Sequence, residues 1–171
     1  MKKLLILAMP RSGSSALYRA IASNYFEYHS YFEPWNRWNP VEVQGDHIVK
    51  SLIFDKPLNY WINCLDEYDK IIYITRKDKE AGYRSFLQAS KTKKYFDSYI
   101  PDKNLEENLV IKEFYVNMSK KLDQIAKDII WYYEDLFFSK KEIDKLIKHH
   151  DLKIRHIDMF YNYFDTKRRY S

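Results

Sequence analysis

The chain is poor in the residues that staple, loosen or break a fold. Its single cysteine, Cys64, rules out an intrachain disulfide and fits a reducing compartment. Three glycines and five prolines among 171 residues leave little room for long flexible linkers, so a single domain over residues 1–171 is expected. No run of about twenty apolar residues occurs, so no helical membrane span is expected. Lys2-Lys3 ahead of Leu4–Ala8 has the start of a secretion signal. The apolar run is too short for one, however, and Pro10 to Ser15 offers no convincing cleavage context, so a cytoplasmic location is expected. His29, His47 and His156 are scattered and His149 and His150 are merely adjacent. No Cys/His or His/carboxylate spacing points to a metal site. There is no internal repeat, heptad array or low-complexity segment.

What is present argues for an ordered core. Hydrophobic residues make up 46% of the chain and charged residues 31%, a balance that excludes disorder as the main state. The net charge of +5 suits an acidic ligand. The lysines are spread along the whole chain, so a nucleic-acid surface is the weaker reading and neither a nucleic-acid nor a membrane partner is expected.

The stretch that organises the rest lies at the N-terminus. Leu4 to Ala8 reads as a buried strand, Pro10 to Ser15 as a small-residue turn, and Ala16, Leu17, Ala20 and Ile21 fall at helical spacing. Strand, tight turn and helix together aim backbone N–H groups and a helix N-terminus at an anion. Gly13 lets the backbone approach a ligand, Ser12, Ser14 and Ser15 offer hydroxyls, and Arg11 adds a forked cation. The pattern differs from the nucleoside-triphosphate loop G-x-x-x-x-G-K-[ST], because Ser14 stands where that lysine would be.

Further along, Ser23 to Tyr31 is aromatic and polar, and Phe32 to Pro40 is irregular, with Glu33 among Phe32, Trp35 and Trp38. An acid among rings can be tuned into a general base. His47 to Lys50 reads as a second strand ending in a cation. Pro57 to Leu65 reads as a short helix with proline at its start. Lys70 to Thr75 is the clearest strand, followed by Arg76 and a helix through Ser85 to about Ala89. Lys91 to Asn104 reads as a loop. Leu105 to Ile125 reads as a helix whose Leu109, Val110, Phe114, Met118, Leu122 and Ile125 pack into the core. Asp128 to Tyr133 is a further strand candidate. Ser139 and Glu142 form a capping box for a last helix with Ile143, Leu146 and Ile147 inward. The tail carries Thr166-Lys167-Arg168-Arg169.

Met9-Pro10-Arg11-Ser12-Gly13-Ser14-Ser15 resembles the 5′-phosphosulfate-binding loop of the sulfotransferases that use 3′-phosphoadenosine-5′-phosphosulfate (PAPS). Ile72 to Phe86 resembles their 3′-phosphate segment, with Arg76 and Ser85 as the matching ligands. Arg76 lies one residue farther from the serine than in animal enzymes, and Lys77 has their spacing. Glu33-Pro34-Trp35, the strand-end Lys50 and Tyr133-Glu134-Asp135-Leu136 fall in the family's order as well. The site of the animal enzymes' catalytic histidine is Leu52 here, which shifts the base role to Glu33, as in the bacterial branch. The resemblance covers most of the chain in patches. It implies an α/β, three-layer P-loop-type fold with a central parallel sheet flanked by helices. Family members are considerably longer, so the usual acceptor-binding insertion and lid must be absent or reduced.

The resemblance further implies sulfuryl transfer from PAPS, leaving 3′-phosphoadenosine 5′-phosphate (PAP), to a small-molecule or glycan acceptor with a hydroxyl or amine. Arg11, Ser12, Gly13, Ser14, Ser15, Arg76, Ser85 and Arg168 would hold the nucleotide, and Arg11, Glu33 and Lys50 would act in catalysis. No metal is expected, in line with the lack of an aspartate at the end of the His47–Lys50 strand. A small P-loop nucleotide kinase and a non-catalytic nucleotide-binding module are the alternatives.

Overall fold

In the computed structural model, residues 2–35, 41–92 and 106–165 are described. Five strands, β1 (Lys3–Ala8), β2 (His29–Phe32), β3 (His47–Leu52), β4 (Lys70–Thr75) and β5 (Ile130–Tyr132), form one sheet in the order β2-β3-β1-β4-β5. Every pairing is parallel. The helices are α1 (Ser14–Ala22), α2 (Leu58–Cys64), α3 (Lys79–Thr92), α4 (Leu109–Ile125), α5 (Tyr133–Phe138), α6 (Lys140–His149) and α7 (Ile157–Asn162), with a short 3₁₀ turn at Leu65–Glu67.

The unbroken apolar run in β1 follows from its central place, since a strand covered on both faces has no polar side. Leu4, Ile6 and Ala8 face the side occupied by α1, α5, α6 and α7, where Leu17, Ile21, Leu136, Ile143, Leu146 and Phe160 pack. Leu5, Leu7 and Met9 face α2, α3 and α4, where Trp61, Leu87, Tyr115 and Leu122 pack. Helices on both faces of a parallel sheet make the expected three-layer α/β architecture. The chain leaves β1 toward one face, and leaves β3 and β4 toward the other. The carboxyl ends of these neighbours therefore flank a crevice, the usual ligand position in open α/β sheets.

Several local expectations need correction. The aromatic-polar stretch around residue 30 contains β2, an edge strand with His29 and Ser30 exposed, which hides the periodic signal. The second strand runs two residues beyond Lys50, to Leu52. α3 runs three residues beyond Ala89, so Lys91 and Thr92 are helical. In α4 the buried stripe is Tyr115, Met118, Leu122 and Ile125. Leu109 and Val110 are 72% and 77% exposed and Phe114 is partly exposed, because Leu109 lies half a turn away from that stripe. The last strand spans only Ile130–Tyr132, and Tyr133 already opens α5. The Ser139 side chain caps Glu142 N–H at 3.4 Å, while the Glu142 carboxylate turns to Lys145, so only half of the capping box forms. Trp38, most of the Lys91–Asn104 segment and Arg168 with its basic neighbours lie outside the described residues. Among the described residues no helix is long and apolar enough to cross a membrane.

Candidate functional site at the carboxyl edge of the sheet

The turn after β1 has left-handed backbone at Arg11 (φ 61°) and at Gly13 (φ 75°). Left-handed residues in a tight turn can aim successive N–H groups into a concave anion cradle. Glycine is required at position 13 for two reasons. Its φ is costly for other residues, and a Cβ there would lie 2.7 Å from Tyr133 Cδ2 and 2.8 Å from Phe137 Cζ. Gly13 is also the N-cap of α1, and no side chain among the described residues caps that end. The first-turn amides of α1 and its positive dipole end are therefore left for a ligand. The Ser12 hydroxyl is unavailable for such a ligand. It is wholly buried and donates to the Met9 carbonyl at 2.7 Å, so Ser12 contributes backbone, and the hydroxyls of Ser14 and Ser15 remain.

The second junction meets the first directly. Arg76 Nε donates to the Arg11 carbonyl at 2.8 Å, and Arg11 Nε donates to Ser85 Oγ at 2.9 Å. Ser85 is 1% exposed, so it is an interior hydroxyl rather than an incidental surface one. The Arg76 guanidinium lies 4.3 Å over the Tyr133 ring, a stacking that fixes its plane. Lys77 points elsewhere. Its Nζ reaches Asp135 at 2.6 Å and its N–H reaches Glu134 Oε2 at 2.9 Å. Of the two cations with family-like spacing, Arg76 is the one beside Arg11. The acids of the Tyr-Glu-Asp-Leu segment hold Lys77, and its tyrosine holds Arg76.

Two tyrosines whose roles no local pattern reveals brace this corner. Tyr115 of α4 reaches back to the Pro10 carbonyl, its hydroxyl donating at 3.3 Å. Gly82 makes room for it, because a Cβ there would lie 3.0 Å from Tyr115 Cζ. Tyr133 covers Gly13 and Arg76 together. No signal within a short window could have found either, since both act across more than fifty residues of chain.

At the ends of β2 and β3, Lys50 is 2% exposed and its ammonium pairs with the Glu33 carboxylate, which is itself only partly exposed. Burial pushes the Lys50 ammonium below the ordinary lysine range, and the Glu33 charge opposes that shift. Glu33 has left-handed backbone (φ 48°), and its N–H donates to the Lys50 carbonyl at 2.7 Å. A non-glycine residue in that region marks a site whose surroundings hold it there. Lys50 also sits 4.6 Å over the Phe32 ring. The acid expected to lie among aromatic rings carries a lysine partner.

The absence of an aspartate at this strand end also needs correction. Asp55, three residues past β3, folds back so that its Oδ2 accepts from Ser51 Oγ and from Leu52 N–H, both at 2.7 Å. Burial raises its carboxyl above the usual range, against the lowering effect of those two bonds. A carboxylate therefore does stand at this edge.

Away from the crevice, Asp128, His149 and His150 bring one ligand atom each within 4.8 Å. The turn between α6 and the following chain makes this cluster, which no sequence spacing reveals. Its members already satisfy one another and their neighbours. His149 Nε2 lies 2.8 Å from Asp128 Oδ2, and Trp131 Nε1 donates to His150 Nε2 at 3.0 Å. Burial drives the His150 ring down to about 4, so it is neutral and accepts from Trp131. Coordination of a metal through His150 Nε2 would break that bond. Comparisons with protein-family models, with curated proteins and with solved structures find no match to this chain.

Proposed function

We propose that the chain is a PAPS-dependent sulfotransferase that moves a sulfuryl group to an acceptor hydroxyl or amine, in a cytoplasmic setting. The observation that carries this reading is the contact between the two junctions. Arg11 joins Arg76, 65 residues away, and Ser85, 74 residues away, through hydrogen bonds of 2.8 and 2.9 Å. One nucleotide with phosphates at both ends could engage both.

In this scheme the Ser14 and Ser15 amides and the α1 N-terminus hold the 5′-phosphosulfate, and Arg76 with Ser85 holds the 3′-phosphate. The acceptor oxygen or nitrogen forms its bond to sulfur as the bridging S–O bond breaks, and the electron pair leaves on the 5′-phosphate of PAP. Arg11 and Lys50 offset the charge that develops there, an effect worth roughly 3–4 kcal/mol for a well-placed donor. Glu33 takes the acceptor's proton. Its pairing with Lys50 ties the base to the cation that must approach the sulfuryl group, so one movement of Lys50 toward the donor frees the carboxylate. Isothermal titration with PAP tests the reading, with a 1:1 complex that requires Arg76 as the expected result. Absence of PAP binding removes it.

Asp55 favours a second reading, a small P-loop kinase, because a carboxylate at the end of β3 is where a magnesium partner is wanted. Magnesium-dependent ATP binding stronger than PAP binding would select that reading.

A further inference from the structure

A cleft of about 420 Å³ opens at the other end of the sheet, walled by Trp35, Tyr60, Tyr68 and His47. It begins beside Lys3 and His47, which are paired at the starts of β1 and β3. At about 3.3 Å per strand residue, roughly 16 Å of β1 separates that end from the Arg11 turn. The cleft is thus a separate place from the anion cradle, and its lining has a different chemistry.

We propose that this cleft binds an organic cation, a primary ammonium carried on an aromatic or apolar body. Its aromatic walls stand nearly perpendicular to one another, as in a cage. The Trp35 and Tyr60 rings meet at 66° with centroids 5.8 Å apart, and the His47 and Tyr68 rings meet at 77° and 5.7 Å. Ring faces attract cations, and Lys56 already lies 5.1 Å over Tyr60 from outside the cleft's lining. Two carboxylates, Glu42 and Glu67, line the cleft against one cation, Lys3, so its formal charge is negative. Burial foremost, with the Glu67 charge adding to it, raises the Cys64 thiol to about 11.

The second observation is His47 itself. It is 5% exposed, its Nδ1 lies 2.7 Å from the Gly45 carbonyl, and its Nε2 has no hydrogen-bond partner among the described residues. With the proton on Nδ1, Nε2 is a buried acceptor without a donor among the described residues, an unfavourable state. Burial, and then Lys3, keep the ring neutral by lowering its basicity, so Nε2 stays an acceptor. An ammonium offers three donors and no acceptor. It would meet the carboxylates beside the His47 ring, while the attached ring or chain fills the aromatic walls. A carboxylate ligand would instead face Glu42 and Glu67, and a neutral ligand would gain only burial.

The test compares three probes of one shape, tyramine, 4-ethylphenol and 3-(4-hydroxyphenyl)propanoate. Titration calorimetry on the full chain is run alongside the His47 ring signals in proton NMR. The expected result is that tyramine binds about tenfold or more tighter than 4-ethylphenol, that the propanoate is weakest, and that tyramine moves the His47 signals. Glu67→Gln should narrow the gap between tyramine and 4-ethylphenol, and Arg11→Ala should leave it unchanged. Equal binding of tyramine and 4-ethylphenol, or His47 signals unmoved by saturating tyramine, would overturn the proposal. These outcomes are independent of PAP binding at the opposite edge.

Discussion

The two strand-to-helix junctions differ in how each helix start is satisfied. After β1, α1 follows its N-cap Gly13 with no side-chain cap among the described residues, and the backbone itself is bent into left-handed conformations at Arg11 and Gly13. After β4, Asp78 Oδ1 accepts from Ala81 N–H at 2.8 Å, so α3 is capped from within. The first junction therefore offers an anion its amides, whereas the second offers only side chains, Arg76 and Ser85. An anion site made of backbone depends on shape and tolerates little change in covalent geometry. A site made of side chains depends on their chemistry and on whatever aims them, here Tyr133 under the Arg76 guanidinium. The same division explains why strain collects at one junction and capping at the other.

Four substitutions can break or sharpen this contrast. The largest effect is expected for Gly13→Ala, which adds a Cβ against Tyr133 and Phe137 at a left-handed position. A loss of about 2–4 kcal/mol is expected, read as a fall in melting temperature of roughly 5–15 °C with loss of PAP binding. A fully stable Gly13→Ala variant would show that the first turn is not shape-limited.

Arg76→Ala should weaken PAP by about tenfold or more, and adenosine 5′-phosphate by about fivefold or less, since Arg76 also steadies the Arg11 carbonyl. Equal calorimetric losses for both ligands would mean that Arg76 serves the turn alone. Removing the cap with Asp78→Ala should cost about 1 kcal/mol in denaturant unfolding and leave PAP affinity intact, because those amides are not ligands at this junction. A gain in anion binding there would erase the difference between the junctions. Smallest of all is Lys77→Ala, whose exposed pairing with Asp135 lies away from Arg11. No measurable change in PAP affinity is expected, and a marked loss would return the 3′-phosphate role to Lys77.

Legibility from sequence tracked the range of the interactions involved. Leu4–Ala8 and Lys70–Thr75 were plain because central parallel strands are apolar on both faces. The Pro10–Ser15 turn was plain because the residues that shape it are contiguous. β2 is obscure because an exposed edge strand carries little periodic signal, and Leu109 and Val110 look like core residues only when their helical phase is ignored. The pairing of Glu33 with Lys50 joins two adjacent strands across a connection that includes residues 36–40, and no local rule sets such a register. Asp55 is a similar case, since a carboxylate three residues beyond a strand is found only once the chain is seen to fold back.

Local sequence is enough for the apolar central strands and for the shape-bearing turn at Gly13, because hydrophobic period and glycine stereochemistry act over a few residues. Packing decides which cation stands beside Arg11, which acid meets Lys50, and that His47, with no donor to its Nε2 among the described residues, lines an acidic aromatic cleft. These depend on strand order and on side chains that meet across the crevice or the cleft, and contacts over such separations are set by the packing of the whole sheet.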